Sequence, residues 1–350
     1  MAHEVHQHDT VTCADGQSTW HKINTLVVET MKTLQDTRLD WKVKQFPLMF
    51  QGENGPQIVP ENFVNIREDL NLPVGVVGKD YRIIQNEQVF NAVQRIFDGK
   101  AELITAGSLF NCRRIWFLAK LTEGQRKVCG DKFENYLLAS SSHDGTLKLD
   151  LRLSQTRVVC NNTLTCALHS GSQVVSVPHT DCAEFRIGQV GLFYDEVFQG
   201  IDKTAATLES LASKQCDIQT AYDFASGFLV AKTTKSQNIA RQIVAKFARG
   251  LGNVGKSRYD LLNGFTERFT HGADDEGDNG EKSPIARFVS STFGNDAGRK
   301  VQALASIADD EKFAGLVERG GKFNSDYLAS ESSKKSTALF QFEGLANAAN

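Results

Sequence analysis

A strict two-residue alternation between positions 147 and 154 constrains the fold of this chain more than any other feature of its sequence. Four leucines alternate there with four polar residues: Leu147, Lys148, Leu149, Asp150, Leu151, Arg152, Leu153 and Ser154. Because successive side chains of a β-strand point to opposite faces, the pattern predicts a strand that buries its leucines and presents a polar row to solvent or ligand. The dipeptide Asp144-Gly145 before it favours a hairpin turn, so we predict an antiparallel sheet.

The rest of the first half predicts further strands and a few helices. Apolar or alternating runs predict strands at 41–50, 58–66, 114–121, 136–141, 156–160 and 174–177, with a strong turn at 51–56. Helical spacing predicts a helix at 24–35 and another at 86–98, which Asn86 can cap. Asn161 and Asn162 are good N-cap residues and predict a third helix after them.

Helical periodicity dominates from about residue 188. We predict helices at 188–213, 217–232, 237–249, 257–270, 284–293 and 296–317, with an acidic, glycine-rich exposed loop at 271–281. The predicted fold is therefore α+β, with a β-rich N-terminal half of antiparallel hairpins and a few helices, followed by a helical C-terminal half. It divides into a flexible N-terminus at 1–22, an α+β domain at 23–187, a helical region packed on it at 188–322 and a weakly ordered tail at 323–350.

Composition and charge exclude several classes of protein. The chain has 350 residues and a formal net charge of -3, which excludes a wholly basic, histone-like protein but leaves room for a local basic surface. Its 7 cysteines include no Cys-x-x-Cys pair, which argues against a disulfide framework or a zinc ribbon and for a reducing compartment. The sequence shows neither a secretory signal nor an apolar run of about 18 residues. We expect a cytoplasmic protein without a membrane span.

Several short motifs occur in order between residues 20 and 310. The most specific is the run Arg-Val-Val-Cys-Asn-Asn-Thr-Leu at 157–164, accompanied by Trp20-His21, Asp144-Gly145 and Thr266-Glu267. With these motifs the chain resembles the "phage/plasmid-like protein" family, which is catalogued as a domain of unknown function. The resemblance implies residence on mobile genetic elements and no assured activity. A β-rich half followed by helices is also similar to the phage single-strand annealing proteins of the RecT, Redβ and Erf group.

Positive charge is concentrated between Phe224 and Tyr259. That window contains no acidic residue and these basic residues: Lys232, Lys235, Arg241, Lys246, Arg249, Lys256 and Arg258. Such a segment suits phosphate groups, because nucleic-acid affinity rises with the number of charges that are neutralised. The alternative is a solvated helix face that the acidic loop balances.

Residues 250–257 formally match the phosphate-loop pattern Gly-x-x-x-x-Gly-Lys-Ser. In that interpretation backbone amides surround a phosphate, Lys256 reaches the outer phosphates and Ser257 binds magnesium. A phosphate loop follows a buried strand, however, whereas residues 237–249 predict a helix. The competing interpretation is a glycine linker in which Ser257 caps a helix that begins at Arg258.

A second basic set lies on or near the predicted strands. Lys148, Arg152 and Arg157 belong to it, with Arg113 and Arg114 close in sequence, and these side chains can line one groove. For the aromatic residues of the strands, stacking on bases competes with core packing: Trp116, Phe117 and Tyr136. The two asparagines of the 157–164 run can also hold a phosphate beside a helix N-terminus.

These features lead to the hypothesis of a single-stranded DNA-binding or annealing protein of a phage or plasmid, acting as a homo-oligomer without cofactor or metal. The expected nucleic-acid contacts are Arg113, Arg114, Lys148, Arg152, Arg157, Asn161, Asn162, Lys246, Arg249, Lys256 and Arg258. No catalytic residue is predicted, since a hairpin turn explains His143-Asp144. Two alternatives stay open: an ATP-dependent nucleic-acid enzyme that uses 250–257, and a protein that binds a host factor.

Overall fold

The structure is a computed structural model that describes residues 9–13, 26–97, 99–157, 162–165, 175–188, 194–272, 284–292 and 294–332. Within these ranges the N-terminal half is β-rich with antiparallel sheets and the C-terminal half is helical, so the predicted α+β class is confirmed. Most of the predicted acidic loop, and Asn161, lie outside the described residues. In the part of the chain that is described, no helix has the length and apolar character needed to cross a membrane.

Strands fill most of the first half of the described chain. They are β1 (Val11–Cys13), β2 (Leu26–Val28), β3 (Val43–Gly52), β4 (Gly55–Arg67), β5 (Leu72–Gly78), β6 (Ala101–Leu109), β7 (Arg114–Leu121), β8 (Arg126–Val128), β9 (Asp131–Ser142), β10 (Leu149–Arg157), β11 (Asn162–Thr165) and β12 (Val175–Val177). A 3-10 turn covers Gln35–Thr37. The predicted strands at 41–50, 58–66, 114–121 and 136–141 are therefore confirmed, as is the described part, 175–177, of the strand predicted at 174–177.

Helices fill the second half. They are α1 (Asn86–Phe97), α2 (Ala183–Gly188), α3 (Tyr194–Ser213), α4 (Ile218–Leu229), α5 (Thr234–Arg249), α6 (Arg258–His271), α7 (Pro284–Thr292), α8 (Asn295–Ala308) and α9 (Asp310–Ser332). Among the helices of the described residues, α1 and α2 precede this region, and α1 agrees with the helix predicted at 86–98.

The strands form two sheets in the described residues. The larger has the order β11-β10-β9-β7-β6-β1-β2, with β12 also paired to β10 and β8 to β9, and only β1 and β2 run parallel. The smaller has the order β3-β4-β5 and is antiparallel. The two sheets touch where Asn65 Nδ2 donates to the carbonyl of His143 at 2.7 Å. A β-carbon added at Gly75 would lie 2.5 Å from that same carbonyl oxygen, so this contact leaves no room for a side chain.

Two hydrophobic cores correspond to the two halves. One face of the large sheet carries fully buried Leu149, Leu151 and Leu153 and packs with α1 and the small sheet. The second core lies among the helices and centres on Phe224 and Phe265, whose rings meet edge to face with centroids 5.7 Å apart. The predicted alternation on β10 is thus confirmed for its apolar face.

The structure corrects four local predictions. In the helix predicted at 24–35, the described residues 26–35 are not α-helical, because Leu26–Val28 pair in parallel with β1, a partner that is remote in sequence. Residues 162–165 extend the sheet as β11 instead of starting a helix after Asn162. The helix predicted at 296–317 is two helices, because Asp309 leaves helical geometry and its carboxylate accepts from Lys312 N at the start of α9.

The fourth correction concerns the tail, since α9 continues to Ser332 and residues 323–332 are helical. Asn86 also differs from expectation. Its side-chain amide donates to the carbonyls of Leu39 and Trp41, and its carbonyl oxygen lies 2.9 Å from His143 Nε2. Asn86 therefore joins remote segments instead of capping its own helix.

Candidate nucleic-acid interface

The polar face of β10 is only partly exposed, contrary to the prediction of a solvated row. We use the name polar row for Lys148, Asp150, Arg152 and Ser154. Lys148 is exposed and Arg152 is partly exposed, whereas Asp150 and Ser154 are buried. The row lies beside Ser140, Leu138 and Tyr136 of β9, with Trp116 and Leu118 of β7 one strand further on. This face of the sheet is therefore charged and exposed at the end that carries Lys148, and buried and partly apolar further along the strands.

Several polar atoms of this face lack hydrogen-bond partners within the described residues. Arg152 donates to one carboxylate oxygen of Asp150 at 3.1 Å. The other Asp150 oxygen, the Nε of Arg152 and the hydroxyls of Ser154 and Ser140 have no partner there. Leaving a buried polar group unsatisfied costs about 1–3 kcal/mol. Each of these atoms therefore favours a further hydrogen-bond partner, which the described residues do not supply.

Two hairpin turns meet at the end of the sheet where the polar row begins. Arg113 and Arg114 follow the β6–β7 turn, and Lys148 ends the β9–β10 turn. The guanidinium of Arg114 joins the turns by donating to the Thr146 hydroxyl at 3.0 Å. The Asp144 carboxylate holds the second turn, since it accepts from Thr146 N at 3.0 Å. The structure thus places Arg113, Arg114 and Lys148 on two turns that contact each other.

The exposed cations of this end are available for a ligand. Within the described residues, neither Arg113 nor Lys148 makes a side-chain ion pair or hydrogen bond, and both are exposed. We call Arg113, Arg114, Lys148 and Arg152 the sheet cations. They occupy one face and one end of a single sheet.

A buried ionic network fixes the backbone of the β6–β7 turn. The carboxylate of Asp9 accepts from Arg67, from the Ser108 hydroxyl at 2.9 Å and from the Cys112 thiol at 3.4 Å. Burial raises the pKa of Cys112, so this thiol is a structural, protonated group. Three successive residues of the turn, 110–112, adopt positive φ values of 54°, 55° and 65°. The network holds this left-handed backbone, which otherwise costs energy for residues other than glycine.

The aromatic residues of the strands are in the protein core. Trp116 and Tyr136 lie on the same face as the polar row, but each is only 1% exposed. Phe117 points to the opposite face and packs against Phe90 of α1, with ring centroids 6.0 Å apart. The described structure offers none of these three rings for base stacking.

Two residues predicted to contact nucleic acid, Arg157 and Asn162, are not members of the polar row. Arg157 pairs with Phe133 of β9 and has the strand parity of the buried leucines, which is opposite to that of Lys148 and Arg152. In strand register Arg157 therefore alternates with the polar row, and its contact with nucleic acid stays a prediction. Asn162 pairs with Arg157 as the first residue of β11, so it begins a strand and no helix N-terminus is present there.

The basic helical segment is largely used within the protein. Lys246 is 3% exposed and its ammonium lies 3.1 Å from Glu267, so it is a buried ion pair. The guanidinium of Arg258 pairs with Asp310 at 2.6 Å and lies over the ring of Phe313, 3.7 Å from its centroid. Arg249 and Lys256 are exposed at the end of α5 and before α6. The four nominated helical cations therefore do not form one surface.

The glycine-rich segment 250–257 has the geometry of a capped helix start. It follows α5, as the sequence predicts, and no strand precedes it. The Ser257 hydroxyl accepts from Asp260 N, and the Asp260 carboxylate accepts from the backbone amides of Lys256 and Ser257, each at 3.1 Å. A phosphate loop needs such amides for its ligand, and here a carboxylate of the chain binds them.

His143 is enclosed and neutral. Burial lowers the pKa of its imidazole to about 3, with the nearby His179 as a second cause. Its Nε2 faces Asn86, and its Nδ1 has no partner in the described residues. His179 stacks on Tyr81 with ring centroids 4.7 Å apart and lies 3.3 Å from the Ser141 hydroxyl. These histidines pack the joint between the two sheets and explain His143-Asp144 without chemistry.

Sequence reasoning does not nominate the unsatisfied residues of the face. Asp150, Ser154 and Ser140 carry the polar atoms without partners, yet only the first two belong to the visible alternation. Asp150 and Ser154 have the same strand parity as Arg152, and this parity is the sequence feature that places them on the same face. Ser140 enters through the pairing of β9 with β10, which the sequence does not specify residue by residue.

Comparison with known proteins identifies a family. The family model described as "Domain of unknown function (DUF932)" matches residues 73–306, which is more than half of the chain. No curated protein matches the chain. No solved structure matches it either. The matched range includes the polar row, both hairpin turns and most of the helical region, and on this evidence the chain belongs to the DUF932 family.

Proposed function

We propose that this protein binds single-stranded DNA through the sheet cations, without a cofactor, and promotes annealing of complementary strands. The observation that carries the proposal is the convergence of Arg113, Arg114, Lys148 and Arg152 on one end and one face of the large sheet, in a chain whose net charge is -3. Phosphate groups are the ligands that such a concentrated positive surface favours.

The spacing of the cations suits a backbone contact. Lys148 immediately precedes β10 and Arg152 lies within it, four residues further along, which corresponds to roughly 13 Å of extended chain. Arg114 lies two strands away and extends the charge across the sheet end. A nucleic-acid strand can therefore contact several cations at once through successive phosphates.

The buried aromatic residues favour annealing over base-specific recognition. Because Trp116 and Tyr136 are enclosed, the described surface holds the phosphate backbone and leaves the bases unstacked on protein. Bases that are not held by protein remain available for pairing. The Nε of Arg152, which has no partner in the described residues, supports the same site, since a phosphate oxygen of the DNA backbone accepts from it.

The biological setting of the protein and its relation to annealing proteins are also part of this proposal. Residence on a phage or plasmid, a role in DNA recombination and kinship with single-strand annealing proteins are inferred from the sequence resemblance. An annealing protein extends its track by self-association, so we also propose a homo-oligomer. The alternative of an ATP-dependent enzyme has no support from segment 250–257, whose amides bind Asp260.

A charge-reversal experiment tests the interface. Fluorescence anisotropy with a labelled single-stranded oligonucleotide at about 50 mM salt measures binding where electrostatic affinity is high. The double variant Arg113→Glu/Lys148→Glu changes two exposed side chains without described partners, so it is expected to fold normally. It should bind more weakly, and the slope of log affinity against log salt should fall by about 1 for each lost phosphate contact.

The matched control is Lys127→Glu in β8, an exposed lysine at the opposite end of β9. It should bind like the wild type. Absence of wild-type binding at low salt, or equal binding by the double variant and the wild type, refutes the proposed interface. Tight binding to duplex DNA or RNA in place of single-stranded DNA refutes the proposed ligand.

A further inference from the structure

The hairpin β3–β4 exposes a nonpolar surface that the proposed function does not use. Within residues 45–60 the only charged residue is Glu53, near the tip. Large apolar side chains are nevertheless exposed on both strands: Phe46 (46%), Met49 (53%), Phe50 (52%) and Ile58 (60%). Phe46 and Phe50 share one face of the hairpin, whereas Met49 and Ile58 pair with each other on the other face. Exposed apolar surface of this kind marks an interaction site. Its lack of positive charge makes it unsuitable for nucleic acid.

Strand β3 is the outer strand of the small sheet. The order β3-β4-β5 leaves one of its edges without a neighbouring strand in the described chain. At Val43 the side chain of Gln85 covers that edge, since its amide accepts from Val43 N at 3.1 Å and donates to Val43 O at 2.8 Å. From Gln45 outward no described group covers it in this way. Pro47 has the same parity as Val43 and no N–H, so at this position the edge offers a facing strand a carbonyl acceptor but no donor.

The sequence of this edge is nearly palindromic. Gln45-Phe46-Pro47-Leu48-Met49-Phe50-Gln51 reads as the same residues in reverse order, except that proline and methionine exchange. Antiparallel pairing of two identical strands about Leu48 therefore places Phe46 opposite Phe50 of the second copy and Gln45 opposite Gln51 of the second copy. Aromatic cross-strand pairs stabilise sheets, and no like charges oppose each other in this register.

We propose that two copies of this chain associate by antiparallel pairing of their β3 edges around Leu48, which forms one continuous six-stranded sheet. The near-palindrome identifies the partner as a second copy, because no other partner requires a strand that is complementary to itself. The irregularity between β3 and β4 does not interrupt the edge. Its extra residues lie on β4, where Met49 pairs with Ile58 and Pro47 with Phe63.

The isologous geometry follows from a twofold axis through Leu48. Phe46 and Phe50 have the same parity in β3, so all four rings of the dimer lie on one face of the joined sheet. Residues of the sheet cations are not part of this edge. The dimer therefore carries two sets of sheet cations, and its formation does not rest on the proposed function.

Mass measurement of the full chain in solution, without nucleic acid, is the first test. Light scattering after size exclusion should give a dimer for the wild type and a monomer for Phe46→Lys and for Phe50→Lys. Leu251→Lys is the matched control, since Leu251 is an exposed apolar residue (62%) in the helical region. That variant should remain a dimer. A monomeric wild type, or Phe50→Lys variants that remain dimers, overturns the proposal.

A cysteine experiment tests the register and does not depend on destabilising the edge. Opposed residues of antiparallel strands have α-carbons about 4.5–5.5 Å apart, within the range of a disulfide. Oxidised Leu48→Cys should give a covalent dimer. Gln45→Cys alone should not, whereas a mixture of Gln45→Cys and Gln51→Cys should. Mass spectrometry separates these bonds from any formed by the exposed Cys129 and Cys182.

Cross-linking of Gln45→Cys to itself, or none for Leu48→Cys, overturns the stated register. Failure of the dimer leaves DNA binding by the sheet cations untouched, since anisotropy with a short oligonucleotide measures that binding separately. Loss of DNA binding by Arg113→Glu/Lys148→Glu with an intact dimer likewise separates the two proposals.

Discussion

The β-rich half and the helical half carry similar basic residues but use them differently. In the sheet, Arg113 and Lys148 are exposed and make no described side-chain ion pair or hydrogen bond. In the helices, Lys246 is buried against Glu267, and Arg258 is held by Asp310 and Phe313. Charge density along a sequence therefore does not identify a binding surface. The decisive quantity is whether the fold has already neutralised the charge.

The largest expected change in stability comes from breaking the buried ion pair of Lys246 and Glu267. Lys246→Ala leaves Glu267 buried and without its cation, which should reduce the free energy of unfolding by about 3–5 kcal/mol. Lys256→Ala, an exposed change in the same segment, should stay within about 0.5 kcal/mol of the wild type. Urea denaturation measures both. If Lys246→Ala retained full stability and lost DNA affinity, the distinction between the two halves would fail.

A second buried cation of the helical half provides a pH test. Lys300 is fully buried, donates to the Thr270 hydroxyl at 3.4 Å, and burial lowers its pKa to about 7 from 10.5, an effect that the Asp296 charge partly offsets. Between these values the unfolded chain binds more protons than the folded chain. Stability should therefore increase as the pH rises from about 7 to 10.5, and the cost of protonation is greatest below 7.

Substitution of Lys300 by methionine isolates this contribution. Lys300→Met should raise the stability at pH 6 by on the order of 1–3 kcal/mol, because it removes a buried ammonium for which the described residues supply one hydrogen bond. The gain should shrink near pH 10, where the lysine is already neutral in the folded state. Thermal melting at both pH values checks this. A gain that is equal at the two pH values would contradict a titrating Lys300.

The smallest expected change in stability comes from the glycine-rich segment between α5 and α6. Ser257→Ala removes the N-cap of α6 and should cost about 1 kcal/mol. Wild-type melting should not change with saturating ATP and magnesium, because the Asp260 carboxylate binds the amides that a phosphate would need. Melting curves of the wild type and of Ser257→Ala provide both results. Nucleotide-dependent stabilisation of the wild type would restore the phosphate-loop interpretation.

Prediction from the sequence succeeded where the signal was local. The helix at 86–98, the strand at 114–121 and the Ser257 cap follow from side-chain periodicity and from hydrogen bonds over three residues. It failed where a partner was remote. Leu26–Val28 form a strand because β1 lies beside them, and Asn162 begins β11 because β10 is its neighbour. Helical spacing and capping preference are weaker than such tertiary pairing.

The sequence alone determined the α+β class, the buried leucine face of β10 and the family, because periodicity and motif residues are properties of the chain itself. Only the tertiary structure decided which basic residues are available. Lys246 and Lys148 look equivalent in the sequence. In the structure Lys246 of α5 forms a buried ion pair with Glu267 of α6, whereas Lys148 is exposed at the end of the β9–β10 turn. The physical reason is that the state of a charge depends on its neighbours in space, and those neighbours are 21 residues away for Lys246.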